Sequence, residues 1–369
     1  MSREENNIKV NFILNGIELA YNYENHTILQ ALNYYYIDIP HFCFHERLSI
    51  AGNCRMCLVE VQGSKKLLPA CSISLTNNMN IKTQTLRVKH LREAVLEFLL
   101  INHPLDCPVC DQGGHCDLQD LSALFGSDRG RFYELTKRAV SNKNFGSFIK
   151  TVMNRCIHCT RCIRFTDEVI GSQDLGILGR GFDSEVVINN FFDVQKKNNL
   201  DFVNNNIFSK FLVNSNLSGN LIDLCPVGAL TQKPNRFSVR SWELKHVNSF
   251  DIFDSLCSSI QISFSQNSLK IMKIVSRLEG TGNHSENEWI TDKIRFIYDS
   301  FLNKRFLKPL LNLDLKNFED FYSCLVHDYA FFYFKRFNKN IKKILNLFFI
   351  LFKFFKISQK MFSNEKKKI

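Results

Sequence analysis

Eleven of the thirteen cysteines, joined by one histidine, fall into three quartets whose spacing leaves the chain around them little freedom. Cys43, Cys54, Cys57 and Cys71 form the first; His103, Cys107, Cys110 and Cys116 the second; Cys156, Cys159, Cys162 and Cys225 the third. Disulfides fit poorly, because they serve short secreted domains, whereas this chain of 369 residues opens Met-Ser-Arg-Glu-Glu with no apolar signal stretch. Zinc is the stronger competitor, since Cys-x2-Cys pairs also build tetrahedral zinc sites. A zinc site brings two such pairs together, however, and Cys156-Ile-His-Cys159-Thr-Arg-Cys162 sets three thiolates at i, i+3 and i+6. With a distant Cys225-Pro226, this is the pattern in which one tight loop holds three irons of a [4Fe–4S] cube. Where the bacterial ferredoxin run has its fourth cysteine this chain has Thr166, so the module reads as half of a two-cluster ferredoxin. A structural zinc protein with no redox role stays open as the alternative.

The first quartet, Cys43-x10-Cys54-x2-Cys57-x13-Cys71, is a relative of the plant-type pattern that wraps a [2Fe–2S] centre. Alternating stretches from Ile8 to Leu14 and from Ile17 to Tyr21 flank Asn15-Gly16, a strong hairpin signal. Thr27 can cap a helix through Leu29, Gln30 and Leu32, and a strand is predicted from Leu58 to Val61. These elements predict a small β-grasp ferredoxin. Gly52 either lets backbone amides approach the sulfides or is an ordinary turn glycine.

The second quartet follows a predicted helix over 87–102, with Leu91, Val95 and Leu99 on its buried stripe. That helix ends near His103-Pro104, and Gly113-Gly114 relaxes the loop before Cys116. A lone histidine at a helix C-terminus is ordinarily a capping or surface residue. Three cluster-spaced cysteines directly behind His103 make it a ligand instead, and a neutral imidazole leaves the cluster one unit less negative than a thiolate would. One [2Fe–2S] and two [4Fe–4S] clusters are the expected cofactors.

Several stretches, in the same order, then resemble one family. They are the His103 to Cys116 motif behind a [2Fe–2S] domain, the Cys156 to Cys162 run, Ser218-Gly-Asn-Leu-Ile-Asp-Leu-Cys225-Pro-Val-Gly-Ala-Leu-Thr, Asp174-Leu-Gly-Ile-Leu-Gly-Arg-Gly181, Arg240-Ser-Trp-Glu243 and Glu288-Trp-Ile-Thr-Asp-Lys-Ile-Arg-Phe296. Together they look like the large iron–sulfur subunits of respiratory complex I, from about residue 8 to about residue 311. The resemblance implies an electron carrier: electrons from NADH arrive through a flavoprotein (NADH/FMN) subunit. They leave towards quinone-side iron–sulfur subunits and ubiquinone, coupled in the whole complex to proton translocation. The chain has no strand–Gly-x-Gly-x-x-Gly–helix unit, and Gly176-Ile-Leu-Gly179-Arg-Gly181 has the wrong order for a dinucleotide loop. Neither NAD nor FMN is therefore expected to bind here. No acid–base pair or activated nucleophile stands out, so no catalytic residue is assigned and the reductase activity belongs to the whole complex. The alternative, an iron–sulfur module of an NAD-linked hydrogenase or diaphorase, would need a second ferredoxin cube or a cysteine-bearing hydrogenase domain.

The expected fold class is α+β, in a string of modules: a β-grasp [2Fe–2S] domain over 1–85, a helical segment over 86–145 whose cube has one His and three Cys ligands, and a half-ferredoxin [4Fe–4S] domain over 146–240. By the resemblance, a short α/β remnant of a molybdopterin-oxidoreductase-like domain follows over 241–311, then a basic helical tail over 312–369. Each module is too small for a large core, so metal ligation is expected to supply part of the folding energy. Two features depart from the family: 62 residues separate Cys162 from Cys225, with a surface insertion expected near 191–214, and the long C-terminal domain is not seen. A separate polypeptide replacing it is one expected partner, beside the other complex I subunits. Within the remnant only Cys257 is present and Cys324 lies beyond, so no fourth cluster is expected and both read as buried small hydrophobes.

The net charge of +11 is concentrated in residues 331–369, where eleven Lys or Arg face Glu365 alone. Such a distribution argues against a nucleic-acid surface and for a basic helix docked on a partner subunit. Abundant Phe, Asn, Lys and Ile, with no Arg-rich transit peptide, fit a mitochondrially encoded subunit. The expected place is the peripheral matrix-side arm at the mitochondrial inner membrane, or the cytoplasmic side of a bacterial membrane.

Overall fold

Residues 10–21 form the hairpin that the alternation predicts: strands β1 (Val10–Leu14) and β2 (Ile17–Tyr21) pair antiparallel around Asn15-Gly16. Both turn residues have positive φ, 51° and 91°, the twist that fits a two-residue hairpin. This computed structural model describes residues 9–303, apart from 23–25, 134–135, 190–214, 256, 269 and 278–288. The expected insertion, Cys324 and the basic tail therefore lie outside the described residues.

Helix α1 (Ile28–Tyr34) follows the hairpin. The Thr27 hydroxyl accepts from the Gln30 amide at 3.3 Å and the Gln30 side chain accepts from the Thr27 amide at 2.9 Å, which satisfies two amide donors that a helix start otherwise leaves bare. Strands β3 (Leu58–Val61), β4 (Leu68–Pro69) and β5 (Met79–Lys82) complete a five-stranded sheet of order β2-β1-β5-β3-β4, with β1 and β5 parallel. Its inner face carries Val10, Phe12, Leu14, Val59 and Ile81 against Ile28, Leu29 and Leu32 of α1. Burying each such side chain contributes roughly 1.5–3 kcal/mol, and Cys57 and Cys71 belong to the same core.

Thr85 caps helix α2 (Leu86–Ile101), accepting from the Val88 amide at 3.3 Å and donating to Glu60 at 2.7 Å. The buried line of α2 is Val88, Arg92 and Leu96, whereas Leu91 is exposed. Of the expected stripe, Val95 and Leu99 pack partly buried against the core beside this line, and only Leu91 lies outside it. Helix α3 (Asp117–Phe125) packs on α2, and Leu96, Leu118, Phe42, Met56, Val227 and Ala229 close a second core around Cys116.

Strand β6 (Ile149–Thr151), the short helix α4 (Arg161–Phe165), the hairpin of β7 (Leu175–Leu178) and β8 (Glu185–Ile188), helix α5 (Asn220–Leu224) and strand β9 (Leu230–Gln232) build the next module. β6 and β9 pair antiparallel, and Phe145, Ile149, Phe165, Leu221 and Leu230 share a core. The Gly176 to Gly181 run lies in and just after β7 of that hairpin, so no strand–loop–helix cradle forms there.

A three-stranded antiparallel sheet of β10 (Leu244–Phe250), β11 (Ser259–Ser265) and β12 (Ile271–Ser276), with helix α6 (Asp292–Asn303), ends the described chain. Arg295 of α6, 2% exposed, donates to Asp223 at 2.6 Å and Asn220 at 2.9 Å on α5. Cys257 is exposed, which corrects its reading as a buried hydrophobe: it sits in the β10–β11 connection at φ 49°, where its amide donates to Asp254.

Candidate metal centres

The first quartet closes through its sulfurs. Cys54 and Cys71 donate to Cys43, and Cys71 also donates to Cys57. Those donors hold Cys43 and Cys57 below the ordinary thiol range, while Cys54 and Cys71 are pushed up as the donating partners. The amides of Asn53 and Cys54 also donate to the Cys43 sulfur. Gly52 and Arg55, at φ 60° and 59°, turn the chain so that this amide run faces the sulfurs. The positive φ of Gly52 bears out its reading as a turn glycine.

The third quartet surrounds an apolar cavity lined by all four of its cysteines with Phe145, Met153, Val186 and Leu230. Burial raises Cys156 to about 11 and pushes Cys159, Cys162 and Cys225 up. The charges of Cys159, Cys156 and Cys225 add to the rise at Cys162, so the four groups lie within each other's reach. The amides of His158, Arg161 and Ile163 donate to Cys156, Cys159 and Cys162 respectively. Left-handed His158 and Thr160, at φ 54° and 62°, bend the loop into that posture. Helix α5 returns Cys225 to the cavity despite the long excursion before it.

The second quartet is spread more widely. Cys107 starts a 3-10 turn and is exposed; Cys110 and Cys116 are buried, and the Cys110 charge acts on Cys116. Cys116 stands at the start of α3, where the Leu118 and Gln119 amides donate to its sulfur. Burial lowers the His103 pKa, with Arg155 and Lys137 adding to it, so the ring is neutral, as a metal ligand must be. Among the described residues the His103 ring makes no hydrogen bond to the three sulfurs; it lines a groove with Cys54 and Cys156.

Glycines make room around this centre. A Cβ on Gly228 would lie 2.2 Å from the Cys110 sulfur, and one on Gly113 would meet Arg240 at 2.7 Å and the Cys107 and Cys110 carbonyls at 3.2 and 3.3 Å. Arg240 in turn donates to the carbonyls of Cys110 and Pro108. Gly113 thus admits a packed neighbour, beyond the loop relaxation its sequence suggested.

Buried arginines tie the three centres together. Arg155, beside Cys156, donates to Asp106 at 2.8 Å and to the Gly228 carbonyl at 3.5 Å. Arg161 donates to the Phe44 carbonyl at 2.6 Å and the Leu224 carbonyl at 3.4 Å. The Asn53 side chain donates to the His158 carbonyl at 3.0 Å, and the Asp117 amide to the Pro226 carbonyl at 3.1 Å. None of these tethers was foreseen; the only signal was basic residues interleaved with the third quartet.

The donor chemistry suits iron–sulfur clusters. Sulfur ligands face apolar walls and backbone amides point at the sulfurs, the environment that sets a cluster's potential. Among the described residues no group of three or more His, Cys, Asp or Glu is arranged for a single metal ion, whereas a cube meets each ligand at a different iron.

Family models match four stretches: a 2Fe-2S iron-sulfur cluster binding domain over 7–86, the NADH-ubiquinone oxidoreductase-G iron-sulfur binding region over 92–131, the NADH-quinone oxidoreductase subunit 3 ferredoxin-like domain over 146–231, and the NADH-ubiquinone oxidoreductase NDSU1/NuoG-like 4Fe-4S domain over 244–299. The last span holds one cysteine here, Cys257. The NADH-ubiquinone oxidoreductase 75 kDa subunit of Reclinomonas americana is 50% identical over 302 residues, 82% of this chain and 40% of the relative. That of Acanthamoeba castellanii is 54% identical over 265 residues, 72% of this chain and 36% of the relative. NADH dehydrogenase [ubiquinone] iron-sulfur protein 1, mitochondrial, of Solanum tuberosum is 50% identical over 285 residues, 77% of this chain and 35% of the relative. The chain thus spans about 40% or less of these relatives' length. In fold it is similar to a chain of NAD+-reducing [NiFe]-hydrogenase in its H2-reduced crystal structure, with a TM-score of 0.52 at 23% identity, covering 62% of this chain and 90% of that one.

Proposed function

Because the chain belongs to the family of the 75 kDa iron–sulfur subunits of NADH-ubiquinone oxidoreductase, respiratory complex I, we propose that it relays single electrons and has no substrate site of its own. Cys43, Cys54, Cys57 and Cys71 would hold the [2Fe–2S] cluster. One [4Fe–4S] cluster would sit on His103, Cys107, Cys110 and Cys116, and the other on Cys156, Cys159, Cys162 and Cys225. Each bound cluster supplies a one-electron couple, and the protein contributes ligation, burial and hydrogen bonds.

The observation that carries this reading is that backbone tethers join the ligand loops. The Cys156 to Cys162 loop meets the first quartet through Asn53 and His158, and the Cys225 to Gly228 loop meets Cys110 and Cys116. Among the described residues the first and second quartets share only the core of Phe42, Met56 and Leu96, against which Cys54 and Cys116 pack, and the groove of Cys54 and His103. Electrons would therefore pass from the first quartet through the third to the second, out of chain order. The donor would be a flavoprotein (NADH/FMN) subunit and the acceptors quinone-side iron–sulfur subunits.

No helix among the described residues is long and apolar enough to cross a membrane. We place the subunit in the peripheral matrix-side arm at the mitochondrial inner membrane. The fold likeness to a hydrogenase chain keeps an NAD-linked hydrogenase module as the second reading, which copurification with hydrogenase rather than complex I subunits would favour. Metal analysis and low-temperature EPR on anaerobically purified protein test the main reading: roughly ten iron atoms per chain, with one binuclear and two cubane signals, are expected. Stoichiometric zinc with no reducible signal would sink it.

A further inference from the structure

Helix α4 carries a guanidinium whose donors all reach the ligand loops of two centres. Arg164 Nη2 donates to the carbonyl of Cys43, in the first quartet, and to the carbonyl of Cys159, in the third, at 3.3 Å. Its Nη1 donates to the Ser49 carbonyl, and its Nε to the Thr160 hydroxyl at 3.3 Å. Two carbonyls on one nitrogen fix how far apart the Cys43 and Cys159 backbones stand. Glu168 takes the Ser49 amide at 2.8 Å, so the Ser49 segment is held from both sides. The side chain is about half buried, and burial acts on its charge most, with Cys43, Cys159 and Glu168 opposing. A planar fork of five donors on a permanent charge is suited to this; a lysine ammonium keeps the charge without the fork.

We propose that Arg164 is the positioning residue of the electron step between the [2Fe–2S] site and the four-cysteine [4Fe–4S] site. Its fork sets the separation of the two ligand loops, and its charge favours the reduced form of both centres. The step moves one electron from the reduced first centre to the oxidised third centre, with no bond made and no proton moved. This inference rests on the ligand assignment above. Arg164 touches no ligand of the His103 quartet, so that centre is its internal control.

The test is EPR-monitored redox titration of the full chain, purified anaerobically, with spin–spin interaction measured between the two reduced centres. Arg164→Met should lower the potentials of the [2Fe–2S] and four-cysteine signals, changing the reduced-to-oxidised ratio at fixed potential roughly tenfold, about 59 mV for one electron. The His103-ligated signal should not move. Arg164→Lys should keep the two potentials near those of the wild type while altering the spin–spin interaction, because charge survives and fork geometry does not. Unchanged potentials in Arg164→Met, or an unchanged interaction in Arg164→Lys, overturn the proposal. If Arg164→Met fails to assemble clusters, the Arg164→Lys interaction decides alone. Wild-type protein without these signals would instead overturn the ligand assignment.

Discussion

At the scale of single residues, His103 carries the most specific chemistry. Burial, Arg155 and Lys137 keep its ring neutral, which spares the proton release that a thiolate ligand requires. His103→Cys should retain a cubane with altered potential, while His103→Ala should lose it or open one iron to water; an unchanged EPR spectrum in His103→Ala removes His103 from the ligand set. The twelve quartet residues could be proposed from sequence because metal chemistry restricts both residue type and spacing. Gly228 and Arg164 were not. A Cβ on Gly228 collides with a sulfur supplied from 118 positions earlier, and Arg164 reaches Cys43 across 121, distances at which no local pattern exists. Arg92 was equally invisible: it is buried with its guanidinium over the Phe125 ring.

Among the elements, those with purely local instructions were readable. Asn15-Gly16 fixes a hairpin, Thr27 and Gln30 cap a helix, and β3 spans the predicted Leu58 to Val61. The buried face of α2 shows the limit, since α3 and β3, which pack on it, decide which stripe is covered. The link between α5 and α6 was invisible because its partners meet only in the folded chain. Burial works to raise Asp223, but Arg295 and Lys273 prevail and hold it at about 2. An unfolded aspartate titrates near 3.9, so this depressed group stabilises the fold above about pH 4 and loses that contribution as pH falls towards 2. Asp223 is partly open to solvent, which screens the pair, so at neutral pH the contribution is about 1 kcal/mol. Asp223→Asn should destabilise by roughly 1 kcal/mol, because buried Arg295 loses its counter-charge while keeping Asn220, and thermal unfolding followed from pH 5 to 2.5 should show a flatter profile than the wild type.

For the molecule as a whole, the described residues form four small cores, three of them joined by the ligand loops, rather than one continuous interior. Thiolates pressed together in apolar surroundings are unfavourable neighbours without a metal to neutralise them, as the raised Cys162 and Cys225 show. Chelating the iron should therefore lower the thermal midpoint by more than about 10 °C and broaden the transition; a midpoint unmoved by complete iron removal would show that the cores stand alone. The quartet proposed as the middle of the relay also has a place in time. Its last ligand, Cys225, leaves the ribosome 63 residues after Cys162, when both outer quartets are already made. The two ends of the wire exist before the span between them, so a nascent chain cannot conduct until its synthesis is well advanced.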